Sequence, residues 1–255
     1  MAVIPMLINN GCTWNDISDE TMKKLEDLQH MLIRYLFDTP RTSPLASLCF
    51  DTGMLKMKQR LMEKQINLVF HLSTLDDKSL GKQVYDEQVK YSFPGLVTDV
   101  QKHLKKLGIP SMTENVGISK QQFKRIVKKA VFADCERELK EEIRASSKLS
   151  AGDMVNEEFA KKEYIDTLKP EDARQIYKYR SFMYDVQWNY KSNPKHSSEL
   201  WQCSSCVSAI ESQQHVLYCP AYATLREGKD IASDQDLADY LQKVLVIREK
   251  LKVTK

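Results

Sequence analysis

The chain has 255 residues, of which 42% are hydrophobic and 29% are charged, and its formal net charge at pH 7 is only +3. The apolar content is enough to bury a core and excludes a disordered chain, while the small net charge excludes a histone-like protein that binds nucleic acid through its overall field. Glycine and proline occur only eight times each, which favours a helical protein over a turn-rich β protein.

No apolar run approaches about 18 residues, so neither a membrane-spanning helix nor a membrane partner is expected. The opening MAVIPMLI is apolar, but it has no basic region before it and is followed at once by polar residues, unlike a secretory signal peptide. Three of the six cysteines are scattered through helical or apolar segments, as buried free thiols are. We therefore expect an intracellular protein, cytoplasmic or nuclear, in a reducing environment.

Helical periodicity dominates the first part of the chain. Apolar residues recur at helical spacing from Asp19 to about Phe37, and Ser18 is the expected N-cap. A loop with a short helical turn is expected over residues 38–53. Two further helices are predicted at about 54–73 and 78–91, and a fourth should end at Gly108, which suits the residue after a helix.

The segment GIPSMTENVG, residues 108–117, is the expected linker between two helical regions. Directly after it, Ser119 and Gln122 have the spacing of a capping box and predict the start of a long helix that reaches about Ala145. The segment SSKLSAGD should end that helix, because it combines polar turn formers with glycine.

Four potential metal ligands lie within 17 positions: Cys203, Cys206, His215 and Cys219. In the C-x2-C pair both thiolates sit on one tight turn, and the H-x3-C pair places its two ligands about one helical turn apart. Thiolate and imidazole are the ligands that tetrahedral zinc prefers. Because four protein ligands leave no open position for a catalytic water, the spacing predicts one structural Zn²⁺ per chain.

The predicted fold is mostly α, with helical bundle regions and a small C-terminal Cys-Cys-His-Cys zinc module. The expected regions are residues 1–110, 118–192 and 200–255. The second is expected to end with a helix from Pro170, a favoured first helical residue, to about Tyr190. The third should end with a helix from about Ser233 to Leu251. The segment that holds the cysteines has too few apolar residues to fold without its metal.

The cluster resembles the Cys-Cys-His-Cys motif near the C-terminus of reverse transcriptases from non-LTR (LINE-type) retrotransposons. The matching positions are Glu211, His215, Val216, Leu217, Cys219 and Pro220. Three upstream segments, residues 3–14, 44–72 and 173–191, are similar to the segments that lie between the polymerase thumb and the zinc motif in that family. The resemblance implies the post-thumb linker and zinc motif of such a polymerase.

The same resemblance implies RNA or DNA as partner, together with the remainder of the parent polymerase where both are expressed as one chain. A polymerase palm needs paired carboxylates that hold Mg²⁺ in a strand turn. Here the only such pair, Asp76 and Asp77, lies in a polar segment with no strand before it. We therefore expect the isolated chain to be a fragment without catalytic activity.

Two segments combine charges in patterns suited to nucleic acid. In the first, cations recur on one face of the long predicted helix: Lys120, Lys124, Arg125, Lys128 and Lys129. In the second, cations alternate with aromatic residues: Arg174, Lys178, Arg180 and Lys191 with Tyr177, Tyr179, Tyr184, Trp188 and Tyr190. Cations hold phosphates, while aromatic rings stack on unpaired bases. Trp201 is a further candidate for stacking or for covering the zinc module.

Three functions are compatible with these features. The favoured one is a zinc-stabilised, nucleic-acid-binding part of a retrotransposon-type reverse transcriptase. The alternative is a zinc-stabilised helical scaffold for protein interaction, derived from a mobile element. A metal-dependent hydrolase would need an open metal position, which the four-ligand cluster does not offer.

Overall fold

A computed structural model describes residues 10–14, 17–41, 43–112, 117–149, 152–190 and 201–253. This part of the chain is mostly helical, as composition and periodicity predicted. The only pairing of extended backbone within it is an isolated antiparallel bridge between Gln202 and Ile210. None of its helices is both long enough and apolar enough to cross a membrane.

The α-helices of the described residues are numbered in chain order: α1 (Asp19–Phe37), α2 (Leu45–Thr52), α3 (Met57–Ser73), α4 (Leu80–Tyr91), α5 (Leu96–Leu107), α6 (Lys120–Ala145), α7 (Tyr164–Thr167), α8 (Pro170–Arg180), α9 (Gln213–Tyr218), α10 (Ala223–Arg226) and α11 (Asp234–Val253). Single 3₁₀ turns occupy Gly11–Thr13, Asp153–Asn156, Gln187–Tyr190 and Pro220–Tyr222.

Several helix ends follow the predicted capping signals. The Ser18 hydroxyl accepts the backbone N–H of Thr21 at 3.2 Å at the start of α1. At α6 the capping box is complete, because Gln122 N–H donates to Ser119 Oγ and Ser119 N–H donates to Gln122 Oε1, both at 3.2 Å. Gly108 ends α5 with φ 65°, a conformation that glycine adopts without strain.

One predicted helix end is wrong, and one predicted loop is more regular than expected. The helix expected to reach Tyr190 ends at Arg180, because Phe182 turns to φ 55° and its N–H donates to the Tyr179 carbonyl at 3.2 Å rather than to a carbonyl four residues earlier. Within the expected loop 38–53, the apolar run LASLCFDT forms the two-turn helix α2, which Gly53 ends at φ 61°.

The chain forms two compact units. Unit 1 comprises Met1–Met31 and Leu55–Glu141, and unit 2 comprises Leu32–Met54 and Glu142–Lys255. These limits differ from the expected boundaries at about 110–118 and 192–200, because the predicted linker lies inside unit 1. Each unit is therefore assembled from two separate stretches of sequence.

The core of unit 1 joins α3, α4, α5 and α6. The rings of Phe70 and Phe123 stack with their centroids 3.9 Å apart. Along α6, Phe123, Val127 and Val131 are buried at intervals of four residues, so one face of the helix is fixed against the core. Each such apolar side chain contributes about 1.5–3 kcal/mol on burial. The opposite face of α6 is thereby turned to solvent.

A charged network joins α5, α6 and α3 at the edge of this core. Lys106 Nζ donates to Asp134 at 2.7 Å and to Glu138 at 2.9 Å, and Gln59 donates to Glu138 at 2.9 Å. Burial alone would raise the pKa of the Asp134 carboxyl, but the hydrogen bonds from Lys106 and Arg137 outweigh it and hold that pKa below its usual value. Both carboxylates therefore stabilise unit 1 only when ionised.

We expect the chain to lose stability as the pH falls below about 4. A carboxyl whose folded pKa lies below its unfolded value of 3.8 contributes its full stability above that value and loses it as the pH falls through the folded pKa. Urea unfolding between pH 2 and 6 should give Asp134→Asn a shallower pH dependence than the wild type. Asp99→Asn, which changes an exposed pair with Lys102, should keep the wild-type pH dependence. If stability depends on pH equally in all three proteins, Asp134 is not a source of the acid sensitivity.

The core of unit 2 is rich in buried tyrosines that hydrogen-bond to backbone or side-chain oxygens. The Tyr184 hydroxyl donates to the Leu241 carbonyl at 2.8 Å, and the Tyr240 hydroxyl donates to the Val216 carbonyl at 2.5 Å. The Tyr177 hydroxyl lies 3.2 Å from Ser47 Oγ. These bonds tie α2, α8, α9 and α11 together, and they place the cysteine segment against the core of this unit.

Candidate metal centre

The first ligand pair lies on a short hairpin. Across it, Cys203 N–H donates to the Ala209 carbonyl at 2.8 Å and Glu211 N–H donates to the Trp201 carbonyl at 2.7 Å. Inside the loop, Val207 N–H donates to the Cys203 carbonyl at 2.8 Å, and Val207 itself has φ 57°. This tight reversal brings the Cys203 and Cys206 side chains to one side of the loop.

The second ligand pair is carried by α9. The Ser212 hydroxyl accepts the backbone N–H of His215 at 3.0 Å and caps the helix. Because α9 ends at Tyr218, His215 and Cys219 are one turn apart, and Pro220 directly afterwards stops the helix. The capped short helix thus keeps the side chains of His215 and Cys219 one helical turn apart.

The four side chains converge. Their ligand atoms all lie within 4.8 Å of one another, with Cys203 Sγ 3.8 Å from Cys219 Sγ and Cys206 Sγ 3.3 Å from His215 Nε2. Two thiolates on a tetrahedral ion at 2.3 Å would be about 3.8 Å apart. The cluster can therefore hold one metal ion, as the spacing of the ligands predicted.

Hydrogen bonding and burial shift the thiol pKa values of Cys206 and Cys219 in opposite directions. The Ser208 hydroxyl donates to Cys206 Sγ at 3.0 Å, and this bond lowers the pKa of the Cys206 thiol to about 6. Burial raises the pKa of the Cys219 thiol to about 12. One ligand is thus a thiolate near neutral pH, while the buried one needs a nearby positive charge to lose its proton.

An ion pair with very little exposure connects the centre to α11. Arg248 Nη2 lies 2.5 Å from Glu211 Oε1, and the two side chains are only 3% and 1% exposed. Arg248 also donates to the Asp185 carbonyl, and Arg226 Nη1 donates to the Cys219 carbonyl at 3.0 Å. These contacts fix the hairpin and the end of α9 from outside the ligand set, a role that the sequence motif did not reveal.

The metal module, defined as residues 201–222, contains no lysine or arginine. Its one acidic residue, Glu211, is buried in the pair with Arg248. Trp201 pairs with Glu211 across the hairpin, so the two side chains lie on the same, covered side, and Trp201 is half-buried. The module itself therefore offers no cation to a phosphate, and the half-buried Trp201 shares a face with the buried Glu211.

The basic and aromatic face predicted on α8 does not form a continuous groove. Arg180 donates to Asp51 at 2.8 and 3.1 Å and to Glu157 at 2.6 Å. Lys178 is paired with Asp38 at 2.9 Å, and Arg174 Nε donates to the Leu36 carbonyl at 2.9 Å. Lys191 lies outside the described residues. The three described cations thus have protein acceptors, and Arg180 is removed from the candidate phosphate contacts.

Two aromatic residues of this segment belong to the core, Tyr179 is partly buried, and the side chains of Trp188 and Tyr190 lie outside the described part of the structure. Tyr177 and Tyr184 are fully buried, so their rings cannot stack on a base.

The acceptor that binds Arg180 is Asp51, a fully buried carboxylate on α2 that also accepts the Tyr164 hydroxyl at 2.9 Å. An acid inside the apolar run LASLCFDT is the sequence signal that could have revealed this network, since a buried carboxylate requires a cationic or hydrogen-bonding partner.

The basic face predicted on α6 does form. Five side chains are exposed and have no acidic partner among the described residues: Lys120, Lys124, Arg125, Lys128 and Lys129. No acidic residue occurs in this helix before Asp134. The buried stripe of Phe123, Val127 and Val131 holds the helix so that these cations face solvent.

No family model, curated protein or solved structure matches this chain. The resemblance to LINE-type reverse transcriptases therefore stays a prediction from the motif residues. What the chain does has to be inferred from the chemistry of its metal centre and of its basic face.

Proposed function

We propose that this chain is a zinc-stabilised helical protein that binds RNA or DNA through the exposed face of α6. The observation that supports it most directly is the set of five exposed cations on α6, none of which has an acidic partner among the described residues. Phosphate contacts by such side chains release counterions and supply most of the affinity of non-specific nucleic-acid binding.

The spacing of these cations suits a charged strand. Lys120, Lys124 and Lys128 follow one another every four residues, which places them about 6 Å apart along one side of the helix. Arg125 and Lys129 form a second row beside them. Because the other exposed residues of this stretch are Gln121, Gln122 and Ile126, the face carries no opposing charge. Recognition by charge alone would accept RNA and DNA alike.

Zinc is the metal that the ligand set favours. Three thiolates and one imidazole are soft donors, and four protein ligands complete a tetrahedral shell, as in structural zinc sites. The ligands are held by a hairpin and a capped helical turn, and the described residues around them include no acid–base pair placed to activate a bound water. The proposed role of the ion is therefore to hold the metal module folded, and the isolated chain is proposed to have no catalytic activity.

The proposed origin is the C-terminal part of a non-LTR retrotransposon reverse transcriptase. The motif residues around Cys203 and His215 support it, together with the similar segments upstream. In that setting the remainder of the polymerase would be a partner on the same chain, and the basic face would hold template RNA or target DNA. An intracellular site, cytoplasmic or nuclear, follows from the same proposal.

Replacing Lys120, Lys124 and Lys128 by glutamine should weaken binding of a single-stranded oligonucleotide roughly tenfold or more at low salt. Each phosphate contact on a single strand contributes about 0.7 to the slope of log K against log salt, so that slope should become shallower by about two. Filter binding or fluorescence anisotropy at several salt concentrations measures both quantities.

A matched control removes the same charge elsewhere. Lys23, Lys148 and Lys169 are exposed lysines outside α6, and their triple glutamine variant should keep the wild-type affinity and slope. Equal losses in both triple variants would indicate an effect of net charge alone. Wild-type protein that binds no oligonucleotide would contradict the proposal and favour the protein-interaction scaffold.

A further inference from the structure

Unit 2 contains an open cleft of about 480 Å³ beside the helix that carries His215. None of the residues that line it belongs to the basic face of α6 or to the metal ligands. Its walls combine aromatic rings with a guanidinium and with side-chain amide and carboxylate groups: Tyr179, Phe182, Tyr218, Arg180, Gln214 and Glu157. Ligand-binding pockets commonly join such apolar surfaces with a few polar groups that orient the ligand.

Two of the rings stand out, Phe182 by its backbone conformation and Tyr218 by its exposure. Phe182 has φ 55°, a conformation that costs a bulky residue energy and persists only where the surroundings hold it. Its ring lies so close to Gly152 that a Cβ added there would be 2.8 Å from Phe182 Cε2. Tyr218 projects from α9 and is 64% exposed. A large aromatic side chain left open at the rim of a cleft is suited to stacking on a flat ligand.

The charges around the cleft favour an uncharged ligand. Arg180 and Lys162 are the cations of the local network, and Asp51 and Glu157 are its carboxylates, so the network has no net charge. Arg180 uses Nε and Nη2 for these carboxylates, whereas its Nη1 has no partner among the described residues. A phosphate would gain little here, but a carbonyl oxygen could accept from Nη1 without facing an excess of either sign.

We propose that this cleft binds one unpaired nucleobase, with guanine favoured. The base would stack on Tyr218, its O6 would accept from Arg180 Nη1, and its N1–H would donate to Glu157 or to the exposed Gln214 amide. Unpaired bases are commonly recognised by aromatic stacking together with hydrogen bonds to their edges. The proposal rests on the proposed function in one respect only, namely that the base comes from a bound strand. A free nucleoside presents the same hydrogen-bonding edge of the base.

Two probes separate the base from the phosphates. One is a pair of ten-residue oligonucleotides with equal numbers of phosphates, one wholly abasic and one with a single central guanine. We expect the guanine to tighten binding about tenfold with an unchanged salt slope, because stacking releases no counterions. The other probe is guanosine, which has no phosphate, titrated at millimolar concentration and followed by NMR line broadening.

Tyr218→Ala should abolish both effects, whereas Tyr35→Ala, which removes an 83% exposed tyrosine outside the cleft, should abolish neither. If the two oligonucleotides bind equally and guanosine does not bind, the cleft proposal is overturned, even where the α6 variants show that strand binding is real. If no oligonucleotide binds but guanosine does, and Tyr218→Ala removes that binding, the cleft stands and the proposed function fails.

Discussion

Chelating the metal, or replacing Cys203 by serine, should unfold residues 201–222 and loosen the core of unit 2. In this segment the exposed apolar side chains Val207, Ile210 and Tyr218 lie outside the core. Few remaining apolar residues are available to hold the hairpin without the ion. Small zinc modules are commonly unfolded in the absence of metal, since the free energy of binding is also free energy of folding.

The expected effect is large. Apparent binding free energies of structural zinc in small fingers are about 10–16 kcal/mol. Cys203, Cys219 and Val216 belong to the buried cluster that includes Tyr184 and Tyr240. Loss of the centre would therefore also remove the Val216 carbonyl that accepts the Tyr240 hydroxyl.

Elemental analysis of the purified chain should find one zinc per chain, and none in Cys203→Ser. Hydrogen exchange should become fast across 201–222 in the variant, while the amides of α6 in unit 1 keep their protection. Cys12→Ser changes a thiol of unit 1 outside the cluster and should retain the metal and the wild-type exchange. A metal-free wild type with slow exchange in this segment would contradict the structural role.

The second large effect is expected at the ion pair between Arg248 and Glu211. Replacing Arg248 by methionine should lower the free energy of unfolding by about 3–5 kcal/mol, because it leaves an unpaired carboxylate in a place with almost no access to water. The exposures of 3% and 1% make this pair different from the surface pairs of the chain. Metal affinity should also fall, since Glu211 directly precedes the residue that caps α9.

Urea unfolding of four proteins tests this pair: the wild type, Arg248→Met, Glu211→Gln and the double variant. The double variant should be more stable than Arg248→Met alone, because removing the second charge ends the penalty of leaving it unpaired. Lys243→Met breaks the exposed pair with Asp239 and should cost no more than about 1 kcal/mol. Additive losses in the double variant would mean that the two residues do not act as a pair.

Much of the helical framework could be predicted because its signals are local. Ser18, Gly108 and the Ser119–Gln122 pair each act on the backbone within one turn, so the sequence alone indicates where α1 and α6 begin and where α5 ends. The metal cluster was predictable for the same reason. C-x2-C and H-x3-C each fit on one turn, and the Ser212 cap completes the second of them.

The failed predictions about the basic and aromatic segment concern contacts between residues that lie far apart in sequence. Nothing near Arg180 indicates that Asp51, more than a hundred positions earlier, will accept its guanidinium. Likewise the alternation of tyrosines and cations around Tyr177 is equally compatible with a binding face and with a buried core. Only tertiary packing separates the two, because it decides which side of α8 meets α11.

The order in which the two units can form follows from how the chain is divided between them. Every residue of unit 1 has left the ribosome once Glu141 has emerged, whereas the segment Leu32–Met54 must wait for α8 and α11 before its apolar side chains are covered. During synthesis, Leu48 and its neighbours therefore remain exposed to other nascent chains for more than a hundred further residues. Chains that terminate early, in the region between α6 and α11, should depend on chaperones and be degraded preferentially.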